Sequence, residues 1–482
     1  MSKQPLSKRA LSRVTNILES SADSTRESLH RFSSERKYIG ITGLSRSGKS
    51  TFITSLINQL LMHQDAKLGA FSPWMTQRIA AVKVHPLEDR SLAEFPYHHA
   101  IDALAAKEPL WPHSTTDISG CLIEIKLNKK NGWAWTSATR SVFLEIRDYP
   151  GEWLLDLPLM DMSYAEWCSQ CAAQFTLEPR ASLLANLLSE LQTLDPLAPY
   201  NETTANQLNQ KYCEFLKRCK YSEHALSVIQ PGRFLIPGEF AGHDALMFVP
   251  LLSCSSRTTA ELENASQTSY FKTFERCYNS YISKIVVPFY KKFFRPINRQ
   301  IVLVDVINAL NGGPDYIEDM RQALSNISDS FSYGRQSPIL SLFTPKIEKV
   351  IFAASKVDQV VAKDHDNIRQ MTAALVRKAL DDAAYKGIEP KPEAIAAIRA
   401  SHEIIHSGSP AITGTDNDGN AIGYVHPVMP DHLPKPEEWQ AFRDWKVPLL
   451  RPPKGVRCNQ DQALPHIRMD QVLQDLMGDL CQ

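Results

Sequence analysis

Tyr38-Ile-Gly-Ile-Thr-Gly43-Leu-Ser-Arg-Ser-Gly48-Lys49-Ser50-Thr51 is the stretch that decides the fold. It fits G-x-x-x-x-G-K-[ST] without a gap, and its flanks supply the context the pattern needs. Tyr38 to Thr42 is a short apolar run that reads as a buried strand. Beyond the loop, Phe52, Ile53, Leu56, Ile57, Leu60 and Leu61 recur at helical spacing. A glycine loop between a strand and a helix is a phosphate cradle. Gly43 and Gly48 let the backbone curl so that successive N–H groups, from Ser45, Arg46 and Ser47 to Thr51, turn toward phosphate oxygens. The helix N-terminus adds its dipole. Lys49 would reach the β/γ-phosphates, and Ser50 would offer its hydroxyl to Mg²⁺.

The chain around this loop has 482 residues, too many for one hydrophobic core. Lys plus Arg and Asp plus Glu are equal at 53 each, so the chain-wide basic field of a nucleic-acid binder is absent. No run approaches the ~20 apolar residues needed to span a bilayer. The polar N-terminus lacks the apolar core of a signal peptide. Nine cysteines without framework spacing fit a reducing, cytoplasmic setting.

Residues 1–36 read as a helical arm, with Leu6, Leu11, Val14 and Ile17 beside four early cations; packing on the body and a peripheral membrane contact are the two readings. Ile118 to Leu127 and Thr139 to Ile146 flank Lys130-Asn131-Gly132-Trp133, and Asn-Gly between β-like runs signals an antiparallel hairpin. From Trp153 the pattern turns helical, with Leu183, Leu184, Leu187, Leu188 and Leu191 on one stripe. Strand-and-helix alternation resumes at Ile301–Asp305 and Lys349–Ala354, and Ala394–Ala400 is expected to be the last strand. A hairpin is expected over Thr413–Gly423 and a closing helix over Ile467–Leu480. The expected division is 1–36, an arm; 37–152 and 297–420, two parts of one P-loop domain; 153–296, a helical insertion; and 421–482, an extension packed on the P-loop domain. The fold class is α/β, a Ras-like P-loop NTPase domain whose mostly parallel sheet holds one antiparallel hairpin strand, plus an inserted α-helical domain.

Later motifs refine the chemistry. Asp148-Tyr-Pro-Gly151 closes the second hairpin strand. An aspartate there can hold a water on Mg²⁺. A glycine three residues on brings a backbone N–H to the γ-phosphate, an interaction that hydrolysis ends. Ser355-Lys356-Val357-Asp358 closes the strand at Ala354 as a variant of N-K-x-D. Its carboxylate can accept two hydrogen bonds from guanine that adenine cannot supply. Lys356 would lay its stem over the base, while Ser355 in place of Asn weakens the loop brace.

In order and spacing these elements resemble the Ras-like P-loop GTPases, nearest the Gα-type and translational branches. The tokens Gly-Leu-Ser-Arg-Ser-Gly-Lys-Ser (43–50), Arg-Asp-Tyr-Pro-Gly-Glu-Trp (147–153) and Ser-Lys-Val-Asp (355–358) give the whole layout a resemblance to the YcjX-like family of bacterial P-loop proteins. That resemblance implies a cytosolic nucleoside triphosphatase linked to stress responses. It also implies a switch I threonine touching Mg²⁺ and the γ-phosphate; Thr115 and Thr116 are the matching positions, Thr116 the favoured one. Two positions depart from the pattern. Glu152 stands where Ras-like enzymes place the water-orienting Gln. Pro112-His113-Ser114 stands where the Gα-type branch carries its arginine finger, leaving Arg46 as the candidate in cis or as a structural ion-pair partner. Without a finger, turnover should be slow.

Other signals carry less. His402-Glu-Ile-Ile-His406 matches H-E-x-x-H, but it runs into Ser407-Gly-Ser-Pro410; with Ala400 and Ser401 it reads instead as the loop over the base. Cys168-Ser-Gln-Cys171 has no second pair at metal spacing and reads as core thiols. Phe289 to Arg295 reads as a seam with snorkelling lysines. Asp305, ending Val302-Leu-Val, is a rival Walker B residue. The expectation is a slow GTPase switch using Mg²⁺, held by Ser50, Thr116 and Asp148, with Lys49, Gly151, Glu152 and Arg46 acting on the phosphates. It would bind GTP or GDP and engage a protein partner through its switch regions or helical insertion. The alternatives are an ATPase of the same fold and a GTP-dependent binding module with negligible turnover.

Overall fold

The computed structural model describes residues 35–44, 46–113, 117–129, 138–222, 225–331, 347–385, 387–443 and 445–481. The N-terminal arm before residue 35, Ser45, the switch I candidates Thr115 and Thr116, and the Asn131-Gly132 turn lie outside these residues.

Eight strands form the central sheet: β1 (Glu35–Gly43), β2 (Ile79–His85), β3 (Ala93–Glu94), β4 (Ser119–Asn128), β5 (Thr139–Asp148), β6 (Arg299–Val304), β7 (Lys349–Ala354) and β8 (Glu389–Ala394). Their order is β2-β4-β5-β1-β6-β7-β8, with β3 beside β4. β1 pairs parallel with both β5 and β6, and β6-β7-β8 continue parallel. β4 runs antiparallel to β5 and β2, as the hairpin reading requires; two-residue β3 runs with β4.

Strand alternation decides what covers each face. Ile39, Ile41, Ile301, Leu303, Ile351 and Ala353 pack with helix α1 (Lys49–Leu61) and with a C-terminal helix at Met469–Met477. Val302, Val304, Val350, Phe352 and Ala354 face the other way. There they share one buried core with the helices between β5 and β6: α2 (Tyr164–Gln174), α3 (Arg180–Thr193), α4 (Glu202–Tyr221) and α5 (Tyr270–Tyr281). Trp167 stacks on Tyr278 at 5.7 Å inside that core, and Ser163 opens α2 with a capping box to Glu166. Phe289 and Phe294 are buried, and Phe289 meets Trp153 and Tyr149 edge-on at 5.6 and 5.7 Å, so the 289–295 stretch is a packed seam. Cys168 and Cys171 are buried thiols, and burial pushes both up.

Two expectations are corrected. The last parallel strand is Glu389–Ala394, not Ala394–Ala400. Pro390 and Pro392 disguise it, but on an edge strand two prolines of the same parity can aim their missing N–H away from the ladder. The apolar run after it stays buried by changing partner: Ile395 N–H still donates to Ala354, while Ala396 pairs with Ile467. His402–His406 is likewise not a loop over the base. It is β9, edge strand of a separate antiparallel sheet with β10 (Ser409–Thr415) and β11 (Ala421–Tyr424), and all five residues are exposed. Ser407 and Gly408, both at positive φ, make the two-residue turn to β10. On a strand the two histidines stand about 14 Å apart, too far to share an ion.

Candidate nucleotide site

Parallel strands deliver their following loops to one edge of the sheet, and each motif lies at such an end. β1 stops at Gly43. Its neighbour β5 stops at Asp148, which pairs in register with Ile41. β7 stops just before Ser355, and β8 leads within six residues to Ala400.

The loop after β1 is pinned by Leu44 N–H to the Leu303 carbonyl, 3.1 Å, and by Ser47 N–H to the Leu44 carbonyl, 3.1 Å. Arg46 and Gly48 take positive φ, +62° and +78°, which curls the loop into a concave row of amides. Glycine meets the second of these at no steric cost. Lys49 then begins α1 with its side chain largely buried and its ammonium paired with Asp148 Oδ1. Burial pulls that ammonium below its ordinary value, against the attraction of Asp148 and Glu152. Asp148 is also reached by the Ser119 hydroxyl at 3.4 Å.

The D-x-x-G segment closes onto the loop. A Cβ on Gly151 would lie 2.2 Å from the Gly43 carbonyl oxygen, so only glycine permits this approach. Gly43, Arg46, Ser47, Gly48, Lys49, Ser50 and Thr51 line a cavity of about 120 Å³ together with Gly151 and Glu152. Ser50 and Asp148 share a second cavity of about 260 Å³ with Glu94, Asp117 and His113. The Ser50 hydroxyl and the Asp148 carboxylate are oxygen donors of the kind Mg²⁺ takes, while among the described residues no group of three His, Cys, Asp or Glu side chains could hold an ion.

The remaining motif is assembled as well. Ser355 N–H donates to Val304 at 2.9 Å, and Lys356, at φ +62°, sets its ammonium 2.5 Å from Asp305 Oδ2. Asp305 also caps the helix Val306–Gly312 through Asn308 N–H. The rival Walker B carboxylate is thus engaged by Lys356 and a helix cap, whereas Asp148 meets the phosphate-loop lysine. Asp358 Oδ2 accepts N–H bonds from Ala400 at 2.8 Å and Ser401 at 3.2 Å. Burial raises this carboxyl, and those bonds oppose the rise.

Among residues that sequence reasoning missed, Lys220 stands out. It comes from the last turn of α4 into the phosphate-loop cavity, where its ammonium pairs with Glu152 at 2.7 Å. The next carbonyl, of Tyr221, takes Arg46 Nη2 at 3.5 Å. Nothing local marks Lys220, since cations at a helix C-terminus are ordinary.

A mostly parallel sheet, a glycine loop opening the helix after its central strand, and D-x-x-G against that loop define a P-loop protein of Ras-like architecture. Within that class the chain belongs to the YcjX-like family, DUF463, whose family model matches residues 38–481. A relative from Shewanella oneidensis named "Ras-like GTPase YcjX" is 34% identical over 466 residues, covering 94% of this chain and 96% of its own. One of the same name from Escherichia coli K12 is 34% identical over 444 residues, covering 92% and 95%. Among the described residues no helix is long and apolar enough to cross a membrane.

Proposed function

We propose that this chain hydrolyses GTP to GDP and phosphate as a slow, Mg²⁺-dependent switch. The observation that carries the guanine assignment is Asp358, a buried carboxylate at a strand end whose direction is fixed by two backbone N–H groups. The names of the relatives agree with that choice.

The residues divide the work as follows. The amides of the 43–50 loop hold the phosphate chain. Lys49, paired with Asp148 without nucleotide, turns to phosphate oxygens when nucleotide enters, because the phosphate chain carries more negative charge than one carboxylate. Ser50, Asp148 and, by resemblance, Thr116 would hold the ion, which supplies positive charge to the β- and γ-phosphates when bound. Gly151 sits close enough to the loop to give its N–H to a γ-phosphate, and Glu152 beside it orients a water. Catalysis of this kind is positioning plus charge stabilisation.

Calorimetric titration with GDP and with ADP, in Mg²⁺, tests the reading. GDP is expected to bind at least about tenfold tighter, a difference of ~1.4 kcal/mol. Asp358→Asn should erase that preference, and Lys49→Ala should weaken both nucleotides. Equal binding of ADP, unaffected by Asp358→Asn, would move the assignment to an ATPase.

A further inference from the structure

The resemblance to Gα-type enzymes leaves a gap: Pro112-His113-Ser114 stands where that branch carries its arginine finger. The fold fills that position from elsewhere. We propose that Lys220 is a built-in cationic finger, delivered by the helical segment and acting on the γ-phosphate; this rests on the triphosphatase reading above.

Three observations place it. Lys220 lines the same cavity as Gly43, Lys49 and Gly151, with its side chain 14% exposed. Its partner there is the carboxylate of Glu152, the residue set to orient water. Its mount is also firm. α4 is anchored by buried Leu208, Tyr212, Phe215, Leu216 and Cys219 along one face. The helical segment is tied to the D-x-x-G segment itself through buried Asp156, which accepts Gly232 N–H at 2.9 Å and the Tyr281 hydroxyl at 2.6 Å. The Arg233 guanidinium lies 3.2 Å over the Trp153 ring. The end of α4 therefore stays with the segment that senses the γ-phosphate. Arg46 lines the same cavity but is exposed, and its Nη2 reaches the Tyr221 carbonyl at 3.5 Å, which braces the same helix end.

The chemistry follows from competition for one ammonium. Without nucleotide, Lys220 neutralises Glu152. A γ-phosphate in the cavity brings more charge than one carboxylate, and Lys220 turns to it, so that Glu152 accepts from a water instead. The water oxygen bonds to the γ-phosphorus as the bond to the bridging oxygen breaks. That oxygen leaves on GDP with the electron pair, and the water's protons pass to phosphate and solvent, with no proton exchanged at Lys220. Its charge is set before the reaction, so no reorganisation is needed at the transition state.

Single-turnover hydrolysis of GTP by the full chain, with GDP affinity measured in parallel, tests this. Lys220→Ala should slow hydrolysis by at least ~10²-fold, below the ~10³–10⁵ of arginine fingers because lysine offers one point charge. GDP affinity should be unchanged, and Lys220→Arg should restore much of the rate. GDP with aluminium fluoride should form a complex with wild type and Lys220→Arg but not with Lys220→Ala. Lys220→Gln, nearly isosteric, carries the same test if the alanine variant folds poorly. Hydrolysis by Lys220→Ala at or above the wild-type rate overturns the finger and makes Lys220 a restraint on Glu152. Failure of wild type to bind GDP at all overturns the nucleotide reading, and the finger with it.

Discussion

Gly151→Ala is the sharpest probe of how the phosphate loop and the D-x-x-G segment are built against each other. Its added methyl would stand 2.2 Å from the Gly43 carbonyl oxygen and 3.1 Å from Thr42 Oγ1. The Gly43 carbonyl cannot retreat, because β1 is paired on both sides and Leu44 is tied to Leu303. Ordinary contact starts at 3.4 Å, so residue 151 must withdraw by about 1.2 Å. A misplacement of ~1 Å at a reacting centre costs ~10²-fold in rate. Gly151→Ala is therefore expected to lose about two orders of magnitude in single-turnover GTP hydrolysis. GDP affinity should hold, because in the proposed site the diphosphate would be gripped by residues 43–50. Overpacking should also cost ~1–3 kcal/mol in stability, read from urea unfolding. A variant that hydrolyses GTP at the wild-type rate would refute the reasoning, since it would mean that the close approach of Gly151 has no part in sensing the γ-phosphate.

Asp156 sets a pH dependence. Burial raises its carboxyl to about 7, against bonds from Tyr281 and Gly232. The folded state then holds this proton more tightly than the unfolded chain. The contribution is full below the unfolded carboxyl value, near 3.8, and is lost as pH rises through about 7. Urea unfolding from pH 5 to 8 should show that decline, and Asp156→Asn should flatten it. At the far edge of the same fold, Asp479 grips buried Arg299 with two bonds of 2.7 Å, and the pairing holds the Asp479 carboxyl well below its usual range. Asp479→Asn is expected to cost about 1 kcal/mol, because the Asp479 side chain is 42% exposed and Arg299 keeps Glu348 as a second carboxylate. A melting temperature within error of wild type would count against it.

What could be read in advance depended on where the chemistry sits along the chain. The phosphate loop and D-x-x-G are contiguous runs, and each constrains its own backbone. Gly48 meets a positive φ, and Gly151 meets a carbonyl that no side chain would tolerate. The strand-ending position of Ser355–Asp358 was legible for the same reason. β8 was not, because propensity counts Pro390 and Pro392 against any strand and cannot know that this one lies at an edge. His402–His406 reads as a loop because it runs into Ser407-Gly-Ser-Pro410, but that breaker is the tight turn of a hairpin and the segment is an exposed edge strand.

Lys220 was out of reach for a deeper reason. Its place depends on a helix of 20 residues and on the packing of everything between β5 and β6, so no local spacing encodes it. The same dependence gives the helical segment mechanical weight. Glu152 belongs to the D-x-x-G segment, Lys220 to α4, and Asp156 with Gly232 and Tyr281 ties the two regions together. Any movement of D-x-x-G on loss of the γ-phosphate must strain those ties or carry the helices along. Buried Tyr281 and Trp153, packed among aromatic neighbours, favour the second course, because a close-packed core shifts as a unit more readily than it deforms. A nucleotide-dependent change in this protein should therefore show first in the helices between Tyr164 and Tyr281. Hydrogen exchange compared between the GDP and aluminium fluoride states would locate it there, and a change confined to the 43–50 loop would mean that the ties do not transmit it.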